Sequence, residues 1–366
     1  MLITLIKEKL KLLYKSFIYK IFFIFYGKIE KGARDDKKLF IKNIILDKNL
    51  KYKIFSLQKS RLYTDRIHDT AAIIENKIID GPSFQYRENK NSSYTDNSVL
   101  KIGTPKIQKK IKGVVLSLLT GGAGNANYWH WLLDVLPRMK LTSEFIDLKK
   151  IDYFLLPSLE EKYQIETLDI LNIPVKKRLS SKKFRHIVAD QIIITDHPYN
   201  LLNDPMKDSL NIPNWIIEFL KNKFGFVKKI SEKKFPKKIY IDRSDSKSNN
   251  RYLRKITNEK EVVNILKKKG FISIKLSDYH FSDQVNLFKN AEHIIGLHGS
   301  GFVNTVFCEP KTKITEFRSE EAGEIIKNLS IKNHLNYESI VRKPKSFVHL
   351  QLGDIEIPLD DLQRKI

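Results

Sequence analysis

Residues 239–341 alternate between short apolar segments and amphipathic segments at a regular spacing. Strand-like runs occupy residues 239–242, 271–276, 293–297, 313–317 and 337–341. Helix-like segments lie between them, at residues 258–268, 282–290 and 322–329 and from about residue 300. This alternation predicts βαβ units and a parallel sheet, which binds ligands at the carboxyl ends of its strands. Asn258, with Glu261 three residues later, is the expected N-cap of the first helix.

The rest of the chain predicts further buried strands and two boundaries. Apolar, β-rich runs occur at residues 113–119, 153–156 and 191–195. Residues 27–38 are charged and contain two glycines, and residues 221–238 are basic and contain a proline. We therefore expect a linker at the first of these segments and a domain boundary at the second. The predicted division of the 366 residues is 1–38, 39–220 and 221–366.

Residues 1–28 are dense in apolar side chains, but their longest uncharged run is only Ile21–Tyr26. That is far short of the ~20 residues needed to span a bilayer. No small-residue cleavage site follows, so a signal peptide is not expected. Four lysines recur roughly once per helical turn: Lys7, Lys11, Lys15 and Lys20. The pattern predicts a basic amphipathic helix on a membrane surface, or a helix packed on the protein's own body.

The formal net charge is +24, from 66 Lys and Arg residues against 42 Asp and Glu residues. Such a charge attracts phosphorylated substrates, anionic lipid or nucleic acid. A solvated basic surface without a specific partner is an equally good explanation of the charge. No helix-turn-helix or zinc-finger pattern accompanies it, so nucleic acid is not expected as a partner. The one cysteine, Cys308, can form neither an internal disulfide nor a thiolate metal site. We expect it to be a small buried apolar residue.

The sequence His298-Gly299-Ser300-Gly301 follows one of the predicted strands and precedes a predicted helix. Two glycines at such a turn let the backbone approach a ligand closely, and the first N–H groups of the helix favour an anion. His298 and Ser300 can add hydrogen-bond donors to a diphosphate. A serine-hydrolase elbow is not expected, because Phe302 and His298 stand where that motif needs glycine. A tight turn without a ligand is the alternative interpretation.

Four further residues are candidates for the same ligand. Asn304 lies one turn into the predicted helix, and Glu316 at the end of the next strand can accept the ribose hydroxyls, as an acidic residue does in dinucleotide-binding folds. Arg243 directly follows the strand at 239–242, and Arg254 lies further along. Arginine forms bidentate hydrogen bonds to phosphate oxygens and can neutralise a leaving diphosphate. A surface glutamate at a strand end remains the alternative for Glu316.

A second candidate group lies on the helix-like segment that follows the glycines at residues 121–124. His130, Asp134 and Arg138 are four residues apart and share one face of a helix. The side chains between them are mostly apolar, so the helix is expected to be largely buried. Burying this polar face costs free energy unless its side chains are hydrogen-bonded or serve a function. It either lines a catalytic cleft, with His or Asp as general base, or forms a self-satisfied structural network.

Residues 127–139 (NYWHWLLDVLPRM) and 296–317 (GLHGSGFVNTVFCEPKTKITEF) together resemble glycosyltransferase family 61. That family includes bacterial capsular-polysaccharide enzymes, plant xylan transferases and eukaryotic N-acetylglucosaminyltransferases. Residues 254–259 (RKITNE) also resemble a family motif, so the resemblance spans roughly residues 115–320. Ser300 departs from the family pattern, in which a small apolar residue is common at this position.

The resemblance implies an α/β, GT-B-type fold with two facing Rossmann-like domains built on parallel sheets. Residues 39–220 would bind mainly the acceptor and residues 221–366 the nucleotide-sugar donor, after an amphipathic helix and linker at residues 1–38. It also implies inversion at the anomeric carbon and no required metal. Asp242 and Asp245, the nearest acidic pair, have a poor spacing for chelation. The expected activity is transfer from a nucleoside-diphosphate sugar, with UDP as the expected nucleotide, to a capsular or lipid-linked glycan.

Residue roles follow from combining the candidates with the resemblance. Arg243 and the turn His298–Gly301 would hold the donor diphosphate, and Glu316 the ribose. Arg254 and Asn304 are the further donor-binding candidates. Asp134 is the expected base and His130 its positioning partner or a donor contact, with the two roles open to exchange. Asn127 and Arg138 would line the acceptor side of the cleft.

Two rival functions stay open: a pyruvyl- or phospho-transferase on a similar fold, and a non-catalytic polyanion-binding protein. The expected location is the cytoplasmic face of a bacterial inner membrane.

Overall fold

The computed structural model describes residues 2–32, 37–47, 49–66, 69–83, 93–119, 127–199, 207–208, 210–232, 234–246, 254–345 and 353–366. The chain divides into two compact units. The first unit comprises Met1–Glu161 and Asn172–Asp208, and the second comprises Lys162–Leu171 and Ser209–Ile366.

The described residues of the first unit contain one sheet of nine strands, one long helix and several short helices. The strands are β1 (Glu30–Lys31), β2 (Leu39–Leu46), β3 (Leu50–Thr64), β4 (Thr70–Ile74), β5 (Lys77–Ile78), β6 (Lys109–Ser117), β7 (Tyr153–Leu156), β8 (Arg178–Ser180) and β9 (His186–Thr195). The helices are α1 (Leu2–Tyr26), α2 (Val99–Ile102), α3 (Tyr128–His130) and α4 (Arg138–Ser143), with a π-helical turn at Trp131–Val135.

This sheet is mixed, with the order β1-β5-β4-β3-β9-β6-β7-β8 and with β2 paired to β3. The strands β9, β6, β7 and β8 are parallel to one another, as the sequence predicts, whereas β3 pairs antiparallel with β2, β4 and β9. An entirely parallel sheet is therefore the wrong expectation for this unit. Short turns join consecutive antiparallel strands; at Glu75-Asn76, between the antiparallel pair β4 and β5, both residues adopt positive φ.

The second unit contains a five-stranded parallel sheet, as the alternating pattern predicts. Its strands are β10 (Lys238–Ile241), β11 (Ile272–Ile274), β12 (His293–Leu297), β13 (Lys313–Ser319) and β14 (Asn336–Arg342). Its helices are α5 (Lys162–Ile170), α6 (Asn214–Phe224), α7 (Glu259–Lys268), α8 (Phe281–Lys289), α9 (Ile325–Lys332) and α10 (Leu359–Arg364). A 3₁₀ helix at Ser300–Phe307 replaces the expected α-helix, and its buried face includes Phe302 and Val306.

The expected N-cap at Asn258 is wrong in its chemistry, although α7 begins at the next residue. The Asn258 side chain makes no hydrogen bond to the helix. Its amide instead donates to the carbonyl of Ile357 and accepts from the Ile357 N–H, at 2.8 and 3.0 Å. The side chain is therefore used to hold the C-terminal segment, whose Ile355 also bridges to Ile256.

The C-terminal end of helix α1 contacts the rest of the first unit. The ring of Phe23 lies against Gly103, and Tyr26 packs edge-on against His186. The side chains of residues 6–17 are all exposed. In the described part of the chain, none of the helices has both the length and the apolar character needed to traverse a bilayer.

Candidate functional site

The carboxyl edge of the second unit's sheet has a topological switch point between β10 and β12. The spatial order is β11-β10-β12-β13-β14, so the chain leaves β10 toward one edge and, after β11, returns to build the other. Doubly wound sheets bind ligands in the crevice at such a point. Arg243 lies two residues beyond the end of β10, and His298 directly follows β12. Both candidates predicted from the sequence therefore flank the switch point.

Two guanidinium groups converge on the carbonyl oxygen of His298. Arg243 donates to it from Nη1 at 2.5 Å, and Arg254 donates from Nε at 2.9 Å. Gly299 makes this approach possible, since a Cβ at that position would lie 3.0 Å from Cζ of Arg243. The predicted importance of Gly299 thus has a specific cause, which is close packing of an arginine against the backbone.

These arginines form a concentrated positive charge. Burial, and then the neighbouring charge of Arg243, lower the pKa of Arg254 to about 9. Burial also lowers the pKa of Arg243. A lowered pKa means that the local surroundings disfavour the cation, so an anion placed here would be attracted strongly. The pair is suited to phosphate oxygens, which accept bidentate hydrogen bonds from arginine.

His298 is oriented by a buried hydrogen-bonded chain. Its Nδ1 hydrogen-bonds to Oε1 of Glu316, and the hydroxyl of Tyr337 donates to Oε2 at 2.5 Å. Burial lowers the pKa of His298, and Arg254 and Arg243 act in the same direction against the opposing effect of Glu316. The imidazole is therefore held neutral, in a fixed orientation, beside the two arginines.

This arrangement disagrees with the expected contact between Glu316 and ribose. Strand β13 continues to Ser319, so Glu316 lies inside the strand and not at its end. Its side chain is fully buried, and both carboxylate oxygens already accept hydrogen bonds. Glu316 is therefore a positioning residue for His298.

The remaining donor-site candidates are Ser300, Gly301 and Asn304. Ser300 begins the 3₁₀ helix as expected. Gly301 is closely packed, because a Cβ there would lie 2.7 Å from Cδ1 of Leu276 and would require that side chain to shift. Asn304 is buried and donates from Nδ2 to Oε1 of Gln284 at 3.0 Å, so it joins the 3₁₀ helix to α8. The expected position of Asn304 in the donor crevice does not agree with that burial.

The first unit contains the second candidate group, centred on Asp134. Asn127 caps α3 by accepting from the Trp129 N–H at 2.9 Å, which is a structural role in place of the expected lining of a cleft. The helix then widens into the π-helical turn, in which the Leu136 N–H donates to the Trp131 carbonyl at 3.1 Å. This turn brings Nδ1 of His130 to 2.6 Å from Oδ2 of Asp134. π-Helical turns of this kind are frequent at functional sites.

His197 is a third member of this group that the sequence analysis missed. Its Nε2 lies 3.4 Å from the same Oδ2 of Asp134, and its side chain is buried. The signal that predicts it is its position two residues after β9, at the carboxyl edge of the parallel strands. Burial alone would raise the pKa of Asp134, but His130 and His197 outweigh that effect and hold it well below its usual range.

Arg138 has a structural role in place of the expected lining of a cleft. Its side chain is buried, and burial lowers its pKa to about 10. It donates from Nε to the carbonyl of Asp134 at 3.1 Å and from Nη1 to the carbonyl of Thr195 at 3.0 Å. Arg138 therefore fixes the helix to the end of β9, as the alternative of a structural network predicts.

The exposure of the two catalytic candidates distinguishes their roles. Asp134 is ionised and only 1% exposed, whereas 16% of the His130 side chain is accessible. A group that accepts a proton from a substrate must reach it. This exposure favours His130 as the base and Asp134 as its orienting carboxylate, which is the alternative that the sequence left open. The glycine-rich residues 120–126 lie outside the described residues.

A cavity of about 440 Å³ also lies in the second unit, at the edge strand β11. It is lined by Lys234, Phe235, Pro236, Lys237, Ile272, Ile274 and Tyr279, and so shares no residue with the switch point. Doubly wound sheets bind ligands at the switch point, so the candidate site lies at the arginines there and not at this cavity.

Comparison with known proteins gives the family. The sequence profile described as Glycosyltransferase 61 matches residues 128–315, about half of the chain. The chain belongs to glycosyltransferase family 61. The matched range begins at Tyr128 and ends at Thr315, so it includes both the His130–Asp134 pair and the turn after β12. The family resemblance and the enzyme class expected from the sequence are thereby confirmed.

Two relatives within the family share a shorter segment. The EGF domain-specific O-linked N-acetylglucosamine transferases of Gallus gallus and Canis lupus familiaris are each 28% identical over 99 residues. That segment is 26% of this family 61 chain, and it covers 18% of the chicken protein and 19% of the dog protein.

Proposed function

We propose that this protein is an inverting, metal-independent glycosyltransferase that uses a nucleoside-diphosphate sugar. The observation that carries the proposal is the convergence of Arg243 and Arg254 on the His298 carbonyl at the switch point of a parallel sheet. The nucleotide is UDP in this proposal. The names of the two relatives make UDP-N-acetylglucosamine the first donor to test.

The donor diphosphate lies against the two guanidinium groups, with the N–H groups at the start of the 3₁₀ helix completing the site. As the bond from the anomeric carbon to the phosphate oxygen breaks, its electron pair and negative charge leave with the nucleoside diphosphate. Arg243 and Arg254 stabilise that charge, which is the role that a divalent cation fills in other phosphate-binding sites. A required metal is therefore not part of the proposal.

The acceptor is activated by the pair His130–Asp134. The acceptor hydroxyl gives its proton to the imidazole of His130, while its oxygen bonds to the anomeric carbon on the side opposite the diphosphate. Attack from the opposite side inverts the configuration of that carbon. Asp134 holds the ring by Nδ1 at 2.6 Å and stabilises the imidazolium that forms.

The proposal extends to the GT-B-type arrangement of Rossmann-like domains and to an acceptor that is a capsular or lipid-linked glycan. It also assigns the enzyme to the cytoplasmic face of a bacterial inner membrane. The family assignment and the basic N-terminal helix support these points.

Ligand-induced thermal stabilisation tests the donor site. We expect UDP and one or more UDP-sugars to raise stability by ~2.7 kcal/mol at a hundredfold excess over the dissociation constant. GDP- and CMP-sugars serve as comparison ligands, with and without EDTA. The variants Arg243→Ala and Arg254→Ala should remove the stabilisation, whereas the matched variant Arg364→Ala, at an exposed arginine, should retain it.

Three results would contradict the proposal. The first is stabilisation by UDP that survives both arginine substitutions. The second is transfer of pyruvate or phosphate in place of a sugar, detected by mass spectrometry with a panel of donors. The third is salt-sensitive binding to DNA or heparin that UDP cannot displace, which would identify a polyanion-binding protein.

A further inference from the structure

Helix α1 carries a stripe of exposed apolar side chains. The stripe repeats at intervals of three and four residues, which places its members on one face of the helix. The exposed fractions of its side chains range from 49% to 83%. Its members are Ile6, Leu10, Leu13, Tyr14, Phe17 and Ile24.

A different face of the same helix is attached to the protein. Phe23 packs against Gly103, and the hydroxyl of Tyr26 accepts a hydrogen bond from the Gln108 N–H at 3.0 Å. Arg61 also donates to the Tyr26 carbonyl. Because these contacts use the face opposite the stripe, docking of the helix on its own unit leaves the stripe exposed.

Basic residues border the stripe on both sides. Lys7 and Lys11 lie on one flank, Lys9 and Lys20 on the other, and Lys15 lies on the opposite face. All five lysines are exposed, and Glu8 is the one acidic residue between residues 6 and 26. An apolar stripe with cations on both flanks is complementary to a surface that is apolar in depth and anionic at its boundary.

We propose that α1 lies flat on an anionic lipid bilayer and attaches the first unit to it. The stripe enters the boundary between headgroups and acyl chains, and the lysines contact lipid phosphates. From residue 6 to residue 24 the stripe is ~27 Å long, which is enough to bind along the surface. This inference rests on the proposed function for its membrane location, which it deepens. It uses no residue of the donor site or of the His130–Asp134 pair, so vesicle binding and sugar transfer can fail separately.

Co-flotation of the full chain with vesicles tests the inference. One set of vesicles contains phosphatidylcholine alone. In the other set, ~30% of the lipid is phosphatidylglycerol, which supplies anionic headgroups for the lysines to contact. We expect binding to the anionic vesicles that weakens as salt is raised. The double variant Leu13→Gln/Phe17→Gln should weaken binding by about 10- to 100-fold, because two large apolar side chains no longer insert.

Two further variants separate surface chemistry from general damage. The triple variant Lys7→Gln/Lys11→Gln/Lys20→Gln should lose about 100-fold in binding to anionic vesicles, since each basic residue near such a surface contributes about fivefold. The matched control Ile107→Gln/Phe226→Gln changes two equally exposed apolar residues elsewhere and should bind as the unaltered protein does. UDP binding by all these variants should be unchanged.

The inference is overturned if the protein binds neither vesicle, or if the Leu13/Phe17 variant binds as well as the control. A second copy of the chain is the competing occupant of the stripe. It would be indicated if light scattering shows a dimer that the Leu13/Phe17 variant converts to a monomer while vesicle binding stays constant.

Discussion

The pair His130–Asp134 gives the sharpest quantitative prediction about catalysis. Replacing His130 by alanine removes the proposed base, and a general base typically contributes a factor of about 10²–10⁴ to the rate. Replacing Asp134 by asparagine keeps the shape of the side chain but removes its charge. The imidazolium that forms on His130 and the carboxylate have charge centres ~4 Å apart, which at an effective dielectric constant of ~20 is worth ~4 kcal/mol. We therefore expect kcat to fall by about 10³-fold in Asp134→Asn.

The combination of the two substitutions tests how they are related. Because Asp134 acts through His130, the double variant should be about as slow as His130→Ala alone, and not the product of the two separate losses. The assay is the initial rate of UDP release with the donor and acceptor identified from the panel. UDP affinity is the control, and it should stay within about twofold of the unaltered protein because these residues lie outside the donor site.

Two outcomes would refute this reasoning. Turnover by His130→Ala close to that of the unaltered protein would remove His130 from the mechanism. A double variant that is slower by the product of the single effects would show that Asp134 acts on the substrate directly, as the sequence analysis first expected.

Three further predictions concern the surroundings of these sites. Arg138→Met should lower the free energy of unfolding by about 2–6 kcal/mol in urea titration, because the carbonyls of Asp134 and Thr195 lose their donor; a loss below 0.5 kcal/mol would contradict the structural role. His197→Ala should lower kcat by about tenfold with unchanged UDP affinity, since Asp134 loses one of its two partners; an unaltered kcat would argue against a role in positioning. Burial lowers the pKa of His186 to about 4, from an ordinary value of 6.5. As the pH falls from 6.5 to about 4, the unfolded chain binds a proton at His186 that the folded chain does not bind. The free energy of unfolding should therefore fall by about 3 kcal/mol over that range. His186→Phe should flatten the pH dependence of urea unfolding, and an identical profile would refute the assignment.

The second unit could be predicted from the sequence in most of its elements. Strand β12 begins and ends at the predicted residues, and β10, β13 and β14 differ from prediction by one or two residues. Strands buried on both faces carry continuous apolar runs, which are readable without knowledge of their neighbours. The first unit was harder because β2 is half exposed and contains a lysine and an asparagine. Its antiparallel pairing depends on partners that local patterns do not reveal.

The site could be predicted in position but not in roles. Arg243, His298 and the glycines follow strands whose carboxyl ends share one edge, so the sequence locates them. The partners of Glu316 could not be predicted, because Tyr337 is 21 residues further along the chain and reaches it across two paired strands. His197 and Asp134 lie 63 residues apart in the chain and likewise meet only through tertiary packing. The choice between Asp134 and His130 as the base depends on how exposed each side chain is, which only the structure supplies.

A crystal structure of the complex with UDP tests the central claim most directly, namely that the end of β12 binds a diphosphate. The account predicts pyrophosphate oxygens within hydrogen-bonding distance, ~3 Å, of the guanidinium groups of Arg243 and Arg254, beside the backbone of Gly299 and Ser300. Electron density for UDP at another location, with neither arginine within hydrogen-bonding distance of a phosphate oxygen, would contradict it.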